Sequence, residues 1–290
     1  MRYLIIGSGK IGIDLYIKLK KLNLPGEILI FNRNRNSIGA KYCRKKRFSY
    51  SSGGIKHLLS FLGLGKNIIF DCTSAEASKK IFLQAKNNLK NNFYVNLTPA
   101  PIGKYFIPYF SNVKIPNSIN MITCGGQSSV PAIIEMKKVI KDIKYVEVIS
   151  SIASQSAGKA TRQNINEYIT NTQRAIGQLS GVKKNKVIIN LNPSNPPVNM
   201  MNSIFFECKS VDYKKIKKAN LVLKKINKTI KKYIPGYNAK LFYQKNENFF
   251  RVTVRVVGSG DYLSTFAGNL DIITSSSAYI GKLLNEKYNY

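Results

Sequence analysis

The chain has 290 residues, enough for one large or two medium domains, and its hydrophobic content of 44% excludes wholesale disorder. The net charge of +32 comes mainly from lysine, since only 9 of the 46 basic residues are arginine, and the lysines are spread through most predicted helices. With Asn, Ile and Tyr abundant and Trp absent, that spread points to a solvated surface shaped by AT-rich coding rather than to a nucleic-acid-binding stripe.

No run of about 18 uninterrupted apolar residues occurs, so no membrane span is expected. The amino terminus opens directly on a strand and lacks a cleavable signal pattern, which leads us to expect a cytoplasmic protein. Cys43, Cys72, Cys124 and Cys208 show neither CxxC nor metal-ligand spacing, and His57 is the single histidine. No metal site is expected, and reduced thiols fit best.

Residues 3–6 read as an apolar strand, followed by a glycine turn and an amphipathic helix over about 11–22. Pro25 and Gly26 punctuate before a second strand at 27–31. Residues 33–54, basic and rich in Ser and Gly, are expected to be weakly patterned surface. Strands follow at 67–71 and 93–97. Strands alternating with helices predict a doubly wound, Rossmann-type parallel sheet.

After Pro131 the character shifts. Helices are expected at about 130–141, 164–180 and 213–232, and strands at 145–153, 186–191, 240–244 and 249–257. An antiparallel sheet with one exposed face would suit this second, α+β half. A last helix at about 269–284 is expected to return to the first half. The domains are therefore drawn as 1–125 completed by 268–290, for dinucleotide binding, and 126–267, for catalysis and dimerisation.

Gly7, Gly9 and Gly12 follow a strand and open a helix, as a dinucleotide fingerprint requires. The first permits the turn, the second lets backbone approach a pyrophosphate, and the third permits close helix packing, with the phosphate at the helix amino terminus. The second strand ends in Asn32-Arg33-Asn34-Arg35 instead of a ribose-binding acid. Asn32 still hydrogen-bonds a hydroxyl but does not repel a 2′-phosphate, which Arg33 or Arg35 could accept, so both NAD and NADP stay open.

Cys124 lies in a glycine-rich turn, Asn120 to Ser128, just upstream of a predicted helix. Ser128 or Ser129 is expected to cap that helix, with Pro131 in its first turn. The helix dipole would favour a thiolate, and the Gly125 and Gly126 amides would be free for an oxyanion. His57 falls in a poorly patterned part of the cofactor half and is expected at the surface. The base is left open between a water, a carboxylate and a backbone-polarised group, with purely electrostatic activation as the other choice.

Ordered blocks then point to one family: GSGKIGIDLYIK, FDCTSAEASK, NLTPAPIGKYFIP, NMITCGGQSSVP, SIASQSAGKATRQNINEY, NPSNPP, YIPGY and FAGNLDIITSSSA. Together they resemble, over nearly the whole chain, the acylating acetaldehyde dehydrogenases that act with 4-hydroxy-2-oxovalerate aldolase in the meta-cleavage breakdown of aromatic compounds. The resemblance implies that Cys124 adds to acetaldehyde, that hydride passes to a nicotinamide, and that coenzyme A takes the acyl group as acetyl-CoA. It places nucleotide binding on Ser8, Gly9, Lys10 and Ile11, on Gln155, Ser156, Ala157, Gly158, Lys159, Ala160, Thr161, Arg162 and Gln163, and on Asn269. A homodimer and a complex with the aldolase are also implied.

Three departures from the family pattern stand out. Asn32 replaces its acid after the second strand. Met201-Asn202 replaces an Arg-Asp pair whose aspartate is a candidate general base, a loss that typically costs about 10²–10⁴-fold. The segment between Leu241 and Phe249 is shorter than in the family. Two other readings follow: a related phosphorylating or hydrolytic aldehyde dehydrogenase, and a catalytically weakened subunit kept to bind an aldolase.

Overall fold

The apolar runs at 3–6, 28–31, 68–70 and 94–95 show no polar alternation, as strands covered on both faces require. In the computed structural model, which describes residues 1–63, 65–89, 91–245 and 247–288 without the side chains of Lys159 and Ala160, these runs form the middle of an all-parallel sheet. The elements of the first half are β1 (Arg2–Ile6), α1 (Lys10–Lys21), β2 (Ile28–Phe31), α2 (Ile38–Lys45), β3 (Tyr50–Ser51), α3 (Gly54–Leu62) and β4 (Asn67–Asp71). They continue with α4 (Ala75–Ala85), β5 (Phe93–Asn96), β6 (Lys104–Tyr105) and β7 (Ser118–Asn120). The strand order is β3-β2-β1-β4-β5-β7-β6. It reverses between β1 and β4, the switch point of a doubly wound sheet, and the Gly7 turn leaves β1 at that place.

The stretch 33–54 is more ordered than its composition suggests. Ser37 caps α2 by accepting from the Ala40 N–H, and Ala40 and Cys43 are fully buried. An eight-residue helix that buries two small side chains leaves its basic residues to dominate the sequence pattern. Cys43, expected in irregular surface sequence, is therefore a core residue.

The second half contains α5 (Cys124–Val139), β8 (Ile143–Ala153), α6 (Lys159–Gln163), α7 (Ile165–Ser180), β9 (Asn185–Asn192) and β10 (Met200–Cys208). It continues with α8 (Tyr213–Ile230), β11 (Tyr237–Tyr243), β12 (Phe249–Val256) and α9 (Gly268–Tyr288). Its five-stranded sheet, ordered β11-β12-β10-β8-β9, is antiparallel except where β8 pairs parallel with β9 through the α6–α7 crossover. Of the segment between Leu241 and Phe249, the first residues end β11 and the rest lead to β12.

On β8 and β10 the inward face reads Val146, Val148, Ser150, Ile152 and Asn202, Ile204, Phe206, all fully buried. Phe206 stacks on Phe250 of β12 at 4.5 Å. Ser150 and Asn202, the polar exceptions on that face, sit directly opposite each other across the strand pair. Met201, Phe205 and Glu207 alternate onto the other face, as the period of two demands.

By contact, the first unit is Met1–Met121, Asp261–Leu263 and Ile273–Tyr290, and the second is Ile122–Gly260 and Ser264–Ile272. The division falls before Ile122 rather than after Gly125, because the whole first turn of α5 packs with its own unit. Helix α9 gives its opening residues to the second unit and the rest to the first. Within the first unit, buried Asp14 of α1 accepts from Thr274 Oγ1 at 2.5 Å and pairs with Lys18 at 3.1 Å. Lys18 in turn bridges to Asp261 at 2.6 Å, and Lys21 also pairs with Asp261. Burial pushes the Asp261 carboxyl up, but the two ammonium groups hold it below its ordinary value.

Candidate active site

The turn into α5 is built on a strained residue. Ile122 has φ +62°, a left-handed conformation that costs a β-branched residue about 1–3 kcal/mol. Asn171 of α7 helps to hold it, donating to the Ile122 carbonyl at 2.9 Å. Thr123 is the cap, its Oγ1 accepting from the Gly126 N–H at 3.0 Å and meeting Thr172 Oγ1 at 2.7 Å. Helix α5 therefore begins at Cys124, six residues earlier than its sequence pattern predicts.

Ser128 and Ser129 do not cap it. They lie inside the helix and bond back to the Cys124 and Gly125 carbonyls, while Pro131 sits well past the first turn. The Gly126 amide, expected to be free for an oxyanion, is spent on the cap. The amides of Cys124 and Gly125 point at the sulfur instead.

The Cys124 Sγ lies 3.8 Å from Tyr168 Oη of α7, and Tyr168 donates to Ser150 Oγ of β8 at 3.1 Å. Gly125 makes that approach possible: a methyl group there would overlap Tyr168 Oη and come within 2.7 Å of Ser150 Oγ. Burial pushes the Cys124 thiol up to about 11, against the Tyr168 hydroxyl and the two amides, which favour its charged form. The expected thiolate is thus a protonated thiol at neutral pH, because the cost of desolvation exceeds the effect of one helix terminus. Burial first, and the neighbouring sulfur second, also push the Tyr168 phenol well above its ordinary value.

Asn202 is not among the groups that act on the sulfur. Its Nδ2 donates to the Gly125 carbonyl at 3.2 Å and to Ser128 Oγ at 2.5 Å, and its Oδ1 is buried with no partner among the described residues. An amide suits this place, because the groups it meets are acceptors. His57 is exposed on α3, its Nδ1 2.5 Å from Ser51 Oγ and its ring edge-on to Phe61, all within the first unit. Among the other thiols, Cys208 is buried and pushed up to about 11, and burial first and Asp71 second raise Cys72 well above its ordinary value.

In the first unit, Gly7 has φ +103°, and a methyl there would press to 3.0 Å from the Cys72 carbonyl oxygen. A methyl on Gly12 would overlap the Gly7 carbonyl, whereas one on Gly9 meets nothing. Gly9 caps α1 without any side-chain hydrogen bond. Ser8 is buried, Ile11 half-buried and Lys10 exposed. Asn32 Nδ2 donates to Ser8 Oγ at 2.8 Å and Ser37 Oγ at 2.9 Å, drawing the ends of β1 and β2 together.

The other nucleotide stretch lies in the second unit. Arg162 closes it, donating to Ser154 Oγ at 2.8 Å and to the Ala157 carbonyl at 3.2 Å. Gln155, Gly158 and Gln163 are exposed, Ser156 and Ala157 are buried, and Thr161 is half-buried. The side chains of Lys159 and Ala160 lie outside the described residues. Asn269, near the start of α9, is buried, with no partner for its Oδ1 among the described residues.

Residues 124–264 match the family described as prokaryotic acetaldehyde dehydrogenase, dimerisation. An acetaldehyde dehydrogenase of Burkholderia pseudomallei (strain 668) is 37% identical over 285 residues, covering 95% of this chain and 92% of that one. That of Pectobacterium atrosepticum is 36% identical, covering 97% and 94%, and that of Geobacillus thermodenitrificans 34%, covering 96% and 94%. The chain belongs to the acetaldehyde dehydrogenase family. The fold is also that of a probable aspartate-semialdehyde dehydrogenase from Pseudomonas aeruginosa, at TM-score 0.65 and 9% identity, each chain covered to 99%. Aspartate semialdehyde dehydrogenase II of Vibrio cholerae gives 0.63 at 12% identity, again with 99% of each chain covered.

An acetaldehyde dehydrogenase with this doubly wound unit uses a nicotinamide cofactor, and the Gly7–Gly12 turn fits one. Open space over Gly9 and a first helical turn that no side chain caps suit a pyrophosphate. Sequence reasoning missed Thr123, Ser150, Tyr168, Asn171 and Thr172. The last three recur at helical spacing on the buried face of α7, and a stripe of polar side chains on the inner face was the signal that could have found them.

Proposed function

We propose that this chain oxidises acetaldehyde, or another short aldehyde, with coenzyme A to acetyl-CoA or its homologue, through a thioester on Cys124. The observation that carries this reading is the Cys124 cradle: a thiol in the first turn of α5, met by two backbone amides and by the Tyr168 hydroxyl, inside the stretch matched by the family. The sulfur adds to the aldehyde carbon, and the amides of Cys124 and Gly125, which meet the sulfur, favour its charged form. A bound nicotinamide supplies the hydride acceptor. The thioester left on Cys124 then passes its acyl group to the thiol of coenzyme A.

Gly7 to Gly12 would hold the pyrophosphate and Asn32 a ribose hydroxyl, with the segment 155–163 and Asn269 as further nucleotide contacts. Because Asn32 is uncharged and Arg33 and Arg35 follow it, we propose that NADP is accepted alongside NAD. The ratio of kcat/KM for the two cofactors tests this, and a strong preference for NAD would sink it. We further propose that residues 124–264 carry a homodimer contact. Association with an aldolase rests on the family resemblance alone. A purely binding subunit is the less supported reading, since the thiol cradle is built in full.

Intact-mass measurement after incubation with acetaldehyde and NAD tests the mechanism. An acyl adduct on Cys124, discharged by coenzyme A, is expected. A folded protein that forms no adduct would overturn it.

A further inference from the structure

Among the described residues, neither a histidine nor a carboxylate acts on the Cys124 sulfur, and the side chains described around it are hydroxyls and amides. Helix α5 packs against α7, α8, β8, β10 and β12. From these and from β11 come Thr172, bonded to the Thr123 cap; Asn202, facing the Gly125 carbonyl; and Tyr237, donating to the Ser128 carbonyl. Among the described residues, the groups acting on the sulfur are Tyr168 Oη and two backbone amides, and no ionised side chain is among them.

We propose that Tyr168, held by Ser150, is the proton-transfer partner of Cys124, a role that rests on Cys124 being the nucleophile. At rest the thiol donates to Tyr168 Oη, and Tyr168 donates on to Ser150 Oγ. In the addition step the S–H bond breaks and its proton passes to Tyr168 Oη. The phenolic proton turns from Ser150 Oγ and moves to the aldehyde oxygen as a sulfur lone pair forms the S–C bond and the carbonyl π pair becomes an O–H bond. The products are a neutral hemithioacetal and a neutral tyrosine, so nothing is oxidised and no charge is left behind.

A neutral relay suits this site. With the thiol pushed up to about 11, only about one molecule in 10⁴ carries a free thiolate at pH 7. A coupled transfer avoids that rare species. The phenol, itself pushed well above its ordinary value, gives and takes a proton together rather than storing a charge. Gly125 supplies the room the exchange needs.

The test is Tyr168→Phe, which removes one hydroxyl, read in two ways on the full chain. The first is the rate of Cys124 alkylation by iodoacetamide against pH, mapped by peptide mass, which needs neither aldehyde nor cofactor. The second is the rate of acyl-adduct formation with acetaldehyde and NAD. We expect alkylation at pH 8 to slow about tenfold, through loss of a hydrogen bond to the thiolate, with its pH dependence displaced upward. Adduct formation should slow about 10²-fold.

Wild-type rates and pH dependence in a folded Tyr168→Phe protein would overturn the proposal. Should that variant not fold, 3-fluorotyrosine at position 168, a more acidic phenol, is expected to displace the alkylation profile downward, and an unmoved profile overturns the proposal equally. An unaltered protein that forms no adduct instead overturns the nucleophile reading, and the alkylation arm still decides on Tyr168.

Discussion

Two helix amino termini in this molecule use glycine for opposite ends. At the start of α1 no side chain caps the helix, and space stands open over Gly9. At the start of α5, Thr123 takes the Gly126 amide, two more amides turn to the sulfur, and Gly125 is crowded by Tyr168 and Ser150. One terminus leaves open space that would suit an anion from outside, and the other spends its amides on its own residues. On the proposed function, the same dipole and the same residue type serve a binding site in one place and a nucleophile's cradle in the other.

Substitutions at the glycines should separate the two uses. Gly12→Ala is expected to have the largest effect, because its methyl meets backbone at the Gly7 carbonyl, which cannot rotate away. A loss of about 3 kcal/mol in chemical denaturation is anticipated. Gly9→Ala should leave stability unchanged and raise the cofactor Kd about tenfold or more, by titration calorimetry, because its methyl points where a phosphate would approach. If both variants lose only stability, the open space over Gly9 has no bearing on binding.

Gly125→Ala tests the crowded terminus. Its methyl displaces the Tyr168 hydroxyl, which should cost about 1–3 kcal/mol and slow Cys124 alkylation. Asn171→Ala removes the donor to the strained Ile122 carbonyl and should cost about 1–3 kcal/mol, since that group is buried. The smallest effect concerns pH. A thiol pushed up to about 11 is protonated below that value, so alkylation of Cys124 should keep rising to pH 10 without a plateau. A plateau near pH 8 would mean that the amides and Tyr168 outweigh burial.

The α1 terminus was legible in the sequence because each of its requirements is local: a strand, three glycines at fixed spacing, then a helix. The α5 terminus was misread by six residues. Gly125 and Gly126 are poor helix formers, and Pro131 looks like a first-turn residue, so local preference favoured a later start. Tertiary packing overrode it through Thr123 with Thr172 and Ile122 with Asn171, pairs 49 residues apart. Helix α2 was hidden for another reason, since its buried face is only Ala40 and Cys43. Tyr168, the hydrogen-bond partner of the sulfur, escapes hydrophobic periodicity because Asn171 and Thr172 follow it on the buried face of α7 before Ala175 and Ile176.

The Asp14 cluster bears on the order in which the chain is made. Strand β1 and helix α1 leave the ribosome well before Asp261, Thr274 and the α9 residue Gly281, which packs close to Tyr3, Leu19 and Phe70. Until translation passes those residues, Asp14 lacks the Thr274 hydroxyl, Lys18 lacks the Asp261 carboxylate, and the sheet lacks the packing of α9 around Gly281. The amino-terminal unit of this molecule is therefore finished after the second one, the reverse of the usual vectorial order.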